Sequence, residues 1–121
     1  NQSSRSIERV QSALLAEEGV EVVKHLRDKG WDLYFGPGSN GTYNLAWDSD
    51  WSTSSQAEII DGKFFRTFTV EDGLRDISGT LISSGGTPDP NTKKITVTVA
   101  WSHKGATTTR TMSTYITNIH E

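Results

Sequence analysis

The chain has 121 residues, which suits one domain around a single core, and it contains no cysteine. The absence of cysteine excludes disulfide bonds and metal sites built from thiolates. The net charge is -3 and no basic stripe runs along the sequence, so we expect no nucleic-acid partner. Only 33% of the residues are hydrophobic while Ser, Thr and Gly are abundant, a composition that favours a sheet-rich, extracytoplasmic domain.

The first predicted element is a long amphipathic helix from about Ser4 to Lys29. Apolar residues recur at steps of three and four along it: Ile7, Val10, Leu14, Leu15, Val22, Val23 and Leu26. Gly30 follows as the cap that ends the helix. Gly19 interrupts the helix at a cost of about 1 kcal/mol relative to alanine, so we expect another backbone to approach it closely. That neighbour belongs either to this domain's own sheet or to the helix of a second molecule.

Two adjacent glutamates, Glu17 and Glu18, precede Gly19 in the middle of this helix. Neighbouring helix residues point about 100° apart, so at most one of the two glutamates lies on the apolar stripe. The favoured interpretation places both on the flank of the helix, in weak surface ion pairs. The alternative makes Glu17, Glu18 and Gly19 a subunit contact, in which half-buried charge sets the register of assembly.

After the helix, the pattern changes to that of an antiparallel sheet. Residues 31–62 predict a variable loop region, because "FGPGSNGTYN" consists mostly of turn residues. Alternation predicts strands at 63–70 and 94–101, a weaker strand at 77–83 and a hairpin partner at 107–116, with a loop over 84–93. The predicted fold is one α+β domain: a helix in 1–30, the loop region in 31–62, and an antiparallel sheet of three to five strands in 63–121.

The loop "AWDSDWSTS", residues 46–54, places Asp48 and Asp50 between Trp47 and Trp51. These side chains suit calcium ligands or a saccharide site with aromatic platforms. Because the spacing of the two aspartates lacks the rest of a calcium loop, an ordinary solvated turn with two packing tryptophans is favoured, and calcium and saccharide are alternatives. No nucleophile elbow or phosphate loop occurs, and no spacing fixes an acid–base or metal-ligand set, so we predict no catalytic, cofactor-binding or metal site and no enzyme.

The order of the segments resembles that of bacterial type IV pilin-like proteins, in particular minor pilins and pseudopilins. The resemblance rests on "LLAEEGVEVVKHLRD" followed by Gly-Trp, a polar region with Gly and Trp, then "FFRTFTV", "KITVTVAW" and "STYITN", and it runs from Leu14 to Asn118. It implies that residues 1–29 are the C-terminal half of a stem helix packed on the sheet of a small head domain. The cleavage signature, early glutamate and first apolar segment of that family do not occur in this sequence.

The resemblance implies a non-catalytic structural subunit of a type IV pilus or related pseudopilus, which serves filament assembly, secretion, DNA uptake or adhesion. It implies other pilin or pseudopilin subunits as partners and, through a preceding segment, the inner-membrane assembly machinery. It also implies a place at the cell surface within a filament, after membrane anchoring and with a methylated N-terminus in the full-length form. The residues alone leave two alternatives: a secreted or periplasmic module that binds a glycan or surface ligand through the Trp-rich loop, and a small hydrolase that uses loop carboxylates.

Overall fold

The computed structural model describes residues 2–118, with side chains from Arg5 onward. Two helices come first, α1 (Gln2–Lys29) and the single turn α2 (Trp31–Tyr34). The described residues then form seven strands: β1 (Gly41–Trp47), β2 (Trp51–Ser54), β3 (Glu58–Ile60), β4 (Phe64–Arg75), β5 (Leu81–Ile82), β6 (Thr87–His103) and β7 (Ala106–Thr117). The predicted combination of one long helix with an antiparallel sheet is therefore confirmed.

The seven strands of the described chain form one antiparallel sheet, whose main path runs β2-β1-β4-β6-β7. Strand β6 lies along one edge of β4, and β3, β1 and β5 pair in turn with successive parts of its other edge. The prediction of three to five strands was too low, and residues 31–62 are not a loop region, since they contain α2, β1, β2 and β3. Strands β2 and β3, with four and three residues, are too short to show an alternating pattern and are stabilised by pairing with their neighbours.

The long strands β4 and β6 show the alternation that the sequence predicts. Their inward residues are almost completely buried: Phe64, Phe68, Val70, Ile95, Val97, Val99 and Trp101. The predicted hairpin between β6 and β7 closes through Lys104 and Gly105, at φ of 51° and 82°. Two consecutive residues with positive φ give the backbone twist that a tight two-residue hairpin requires.

Strand boundaries differ from the predicted ones at the other end of the sheet. Strand β5 occupies only part of the predicted segment 77–83, and β6 begins at Thr87, inside the predicted loop 84–93. The sequence favoured a loop there because proline cannot donate a ladder hydrogen bond. A register shift opposite Gly73 takes residues 90–92 out of the β4 ladder, so Pro90 faces no β4 partner. Residues 119–121, which the sheet prediction included, lie outside the described residues.

Helix α1 lies across one face of the sheet, and a hydrophobic core fills the space between them. Gly19 lies at a close approach: a Cβ at this position would be 2.8 Å from Cγ1 of Val97 on β6. The neighbour is the domain's own sheet, and it contributes side chains where the sequence had suggested backbone.

The predicted apolar stripe of α1 is only partly correct. Its last members are buried, namely Val22, Val23 and Leu26. Its first members are 57%, 60% and 60% exposed, namely Ile7, Val10 and Leu14. This half of the helix turns other residues toward the sheet, namely Glu8, Ser12 and Ala16. At about 100° per residue, Ile7, Val10 and Leu14 lie on the opposite side of the helix, so the sequence pattern had merged two faces. We call these three residues the outer stripe.

Candidate functional site

A buried arginine lies beneath the middle of α1. Arg66 is 1% exposed, on the face of β4 that carries the core. Its guanidinium donates twice to Glu58, from Nε to Oε1 at 2.8 Å and from Nη2 to Oε2 at 2.7 Å. Its Nη1 donates to the Leu15 carbonyl oxygen at 2.9 Å and to Glu18 Oε1 at 2.7 Å. Burial opposes the charge, but hydrogen bonds to Glu58 and Glu18 leave the pKa of Arg66 above its ordinary value.

This arginine accounts for the unusual centre of the helix. The Glu18 carboxylate contacts the guanidinium although its side chain is 52% exposed, and Glu17 is exposed as well. Gly19 leaves room for the same side chain, since a Cβ there would lie 3.3 Å from Arg66 Cδ. Of the three residues proposed as a subunit contact, Glu18 and Gly19 therefore make contacts inside the domain. Glu21 forms a surface ion pair with Lys24 at 3.2 Å.

The Trp-rich loop is the turn of a tight hairpin. Trp47 ends β1 and Trp51 begins β2, and the two residues are register partners. Ser49 adopts a φ of 64°, and the Asp48 N–H donates to the Asp50 carbonyl oxygen at 3.0 Å. The two indole rings meet edge to face, with centroids 5.3 Å apart. The two tryptophans of the predicted turn therefore pack on each other.

An open groove of about 430 Å³ lies between this hairpin and α1. It is lined by Glu18, Glu21, Val22, His25, Trp47, Asp50 and Trp51, and we call it the Trp47 groove. Trp47 is 63% exposed along it. Trp51 is half-buried, and the Arg66 guanidinium carbon lies 5.6 Å from its ring centroid. Asp48, which the sequence grouped with these residues, does not line the groove.

Asp50 ties the hairpin to the C-terminal end of α1. Its carboxylate lies 2.9 Å from Nε2 of His25 and 2.9 Å from Nζ of Lys29, and it accepts the Trp51 N–H at 2.8 Å. The Lys29 ammonium, followed by His25 and the Trp51 N–H, holds the pKa of Asp50 well below its ordinary value. In return, Asp50 raises the pKa of Lys29. The carboxylate is therefore fixed in place and ionised at neutral pH.

The calcium alternative finds little support in this geometry. Within residues 2–118, no group of three His, Asp or Glu side chains is placed to hold a metal ion. Asp50 faces two basic side chains, and calcium sites instead assemble several oxygen ligands around the ion.

Sequence reasoning missed two charged clusters that the fold assembles. Arg66 follows from the alternation of "KFFRTFTV", in which it shares the face of the buried phenylalanines, but its partner Glu58 lies in a strand that the sequence did not predict. The second cluster is around Glu8, 7% exposed, with His103 Nδ1 and Lys63 Nζ each 3.4 Å from its carboxylate. The second cluster joins residues from distant parts of the chain, and this distance left no signal for it in the sequence.

Within the described residues, no helix combines the length and the apolar character that crossing a bilayer requires. Comparison of the chain with models of known protein families, with curated proteins and with solved structures gives no match.

Proposed function

We propose that this protein is a non-catalytic structural subunit of a type IV pilus or of a related pseudopilus, at the cell surface. The proposal joins the order of elements, a long helix laid over an antiparallel sheet, to the resemblance carried by the sequence from Leu14 to Asn118. Its partners are other subunits of the filament and, before assembly, machinery of the inner membrane.

The observation that carries the proposal is the outer stripe of α1. Ile7, Val10 and Leu14 are 57%, 60% and 60% exposed and form one line on the side of the helix away from the sheet. Fully burying an exposed side chain of this kind is worth about 1.5 to 3 kcal/mol, and the domain leaves more than half of this free energy unused. In a filament whose subunits pack helix against helix, the outer stripe would be buried and its burial would stabilise the assembly.

The outer stripe also agrees with the different contacts that the two ends of α1 make with the sheet. Its C-terminal part, with Val23 and Leu26 completely buried, holds the helix to the sheet. Its N-terminal part buries polar side chains beneath it, Glu8 and Ser12, and presents the apolar ones outward. An outward apolar face on a helix that is already anchored elsewhere is typical of a surface made for a partner.

Cysteine cross-linking in cells tests the proposal, because the chain has no cysteine of its own. We expect Val10→Cys in the full-length protein to give ladders of linked subunits with a short bismaleimide. The matched control is Thr111→Cys, which is exposed on β7 and points away from the helix. Ladders that are equally strong at both positions would reflect crowding, and their absence at Val10 would contradict the proposed contact.

The coding sequence upstream of Asn1 gives an independent test. A pilin-like subunit requires a basic leader, a cleavage signature and about 20 apolar residues ahead of the stem helix. An upstream sequence with a start codon and no apolar run would overturn the proposal.

A further inference from the structure

The Trp47 groove has an apolar wall that the fold itself does not need. Trp47 is 63% exposed, yet its position is fixed, because the hairpin register sets it opposite Trp51 and the two rings pack at 5.3 Å. Val22 of α1 lines the groove on the other side but is itself only 5% exposed. A rigid, exposed indole offers a large flat area at little cost in conformational entropy to whatever binds it.

The rim of the groove carries three carboxylates, and each of them already has a basic partner. Glu18 pairs with Arg66 at 2.7 Å, Glu21 with Lys24 at 3.2 Å, and Asp50 with Lys29 at 2.9 Å. A cationic ligand would have to displace these partners, and an anionic ligand would face three carboxylates. The balance of charge therefore favours an uncharged ligand.

The same carboxylates keep the capacity to bind hydroxyl groups. A carboxylate offers about four acceptor sites, so the one basic contact of Glu18 and of Glu21 leaves several open, while the three contacts of Asp50 leave about one. Glu18, Glu21 and Asp50 have side chains 52%, 71% and 52% exposed, so these acceptor sites are accessible from the groove. His25, with its side chain 48% exposed, donates from Nε2 to Asp50, so in the neutral ring Nδ1 is left as an acceptor.

We propose that the Trp47 groove binds a neutral saccharide, with the C–H face of a pyranose ring stacked on Trp47 and its hydroxyls donating to the carboxylates of the rim. The groove volume of about 430 Å³ lies within the range of small-ligand sites. The proposed saccharide site is independent of the proposed function in a filament. A single ligand would contact both the exposed Trp47 and the carboxylates of the rim.

A carbohydrate-binding assay tests the proposal on the folded protein. The probes are an array of uncharged glycans and, in solution, cellohexaose, maltohexaose and chitohexaose, with tryptophan fluorescence and calorimetry as readouts. We expect saturable binding of at least one neutral glycan. We expect Trp47→Ala to weaken this binding at least tenfold, because the stacking surface is removed. The exposed aromatic Phe65, on the other face of the sheet, supplies the control Phe65→Ala, which should bind as the wild type does.

A second variant separates stacking from hydrogen bonding. Glu21→Gln keeps the shape of the side chain and removes an acceptor, so we expect a severalfold loss of affinity with an unchanged unfolding transition. The proposal is overturned if no glycan on the array binds saturably, if Trp47→Ala binds as well as Phe65→Ala, or if hexalysine or a sulfated glycan binds more tightly than every neutral probe.

Discussion

The contact at Gly19 supports a sharp prediction about the helix–sheet packing. Changing Gly19 to alanine raises helix propensity by about 1 kcal/mol, so an exposed position would gain stability. Here the added Cβ lies 2.8 Å from Val97 Cγ1 and 3.3 Å from Arg66 Cδ. Val97 is completely buried, and a β-branched side chain has few alternative rotamers. Overpacking costs about 1 to 3 kcal/mol, so after the gain in helix propensity we expect a net loss of up to about 2 kcal/mol.

Urea unfolding followed by circular dichroism measures this change. The matched control is the pair Glu17→Ala and Glu17→Gly at the exposed neighbouring position, where alanine should be the more stable by about 1 kcal/mol. Adding Val97→Ala to Gly19→Ala should remove the clash, so that the glycine-to-alanine step becomes neutral or stabilising in that background. If alanine stabilises position 19 as it does position 17, the close packing of helix on sheet is refuted.

Three further changes probe the remaining parts of the fold. Arg66→Ala leaves the carboxylate of Glu58 buried without its partner, and we expect a loss of about 3 to 5 kcal/mol in urea unfolding; a loss below about 1 kcal/mol would show that the pair is not desolvated. Leu26→Ala should cost about 2 to 5 kcal/mol while the outer-stripe change Leu14→Ala stays within about 0.5 kcal/mol, and equal costs would contradict the assignment of helix faces. Basic neighbours lower the folded-state pKa of Asp50, so its charge stabilises the fold above the ordinary pKa of 3.8, and this contribution is lost as the pH falls below that value. The midpoint of urea unfolding, measured between about pH 2 and 7, should therefore fall less steeply with decreasing pH in Asp50→Asn than in the wild type.

The sequence predicted the elements whose hydrophobic pattern is long enough to read. The 28 residues of α1 and the alternation along β4 and β6 carry their own periodicity. Strands β2 and β3 have four and three residues, too few to show a period, and they exist because β1 and β4 offer them edges. The wrong face assigned to the outer stripe has a different cause, since a helix that is apolar on two sides gives one merged signal.

Only the tryptophan hairpin of the candidate site could be predicted from the sequence, because its residues are neighbours along the chain. The tryptophan hairpin lies within a few residues of sequence, and its packing follows from the register of β1 with β2. The opposite wall of the Trp47 groove comes from α1, and the pairing of Asp50 with His25 and Lys29 joins residues more than twenty positions apart. Such contacts depend on how the helix lies over the sheet, which composition and periodicity do not encode.

Electron microscopy of the source cells tests the filament proposal most directly. Gold-labelled antibodies raised against this domain should decorate filaments at the cell surface or their tips. Deleting the gene should abolish the label, and the wild-type gene should restore it. A variant with the outer stripe made polar, Val10→Ser with Leu14→Ser, should be produced and folded but absent from the filaments. Unlabelled filaments, with the protein found only free in the medium, would contradict the account.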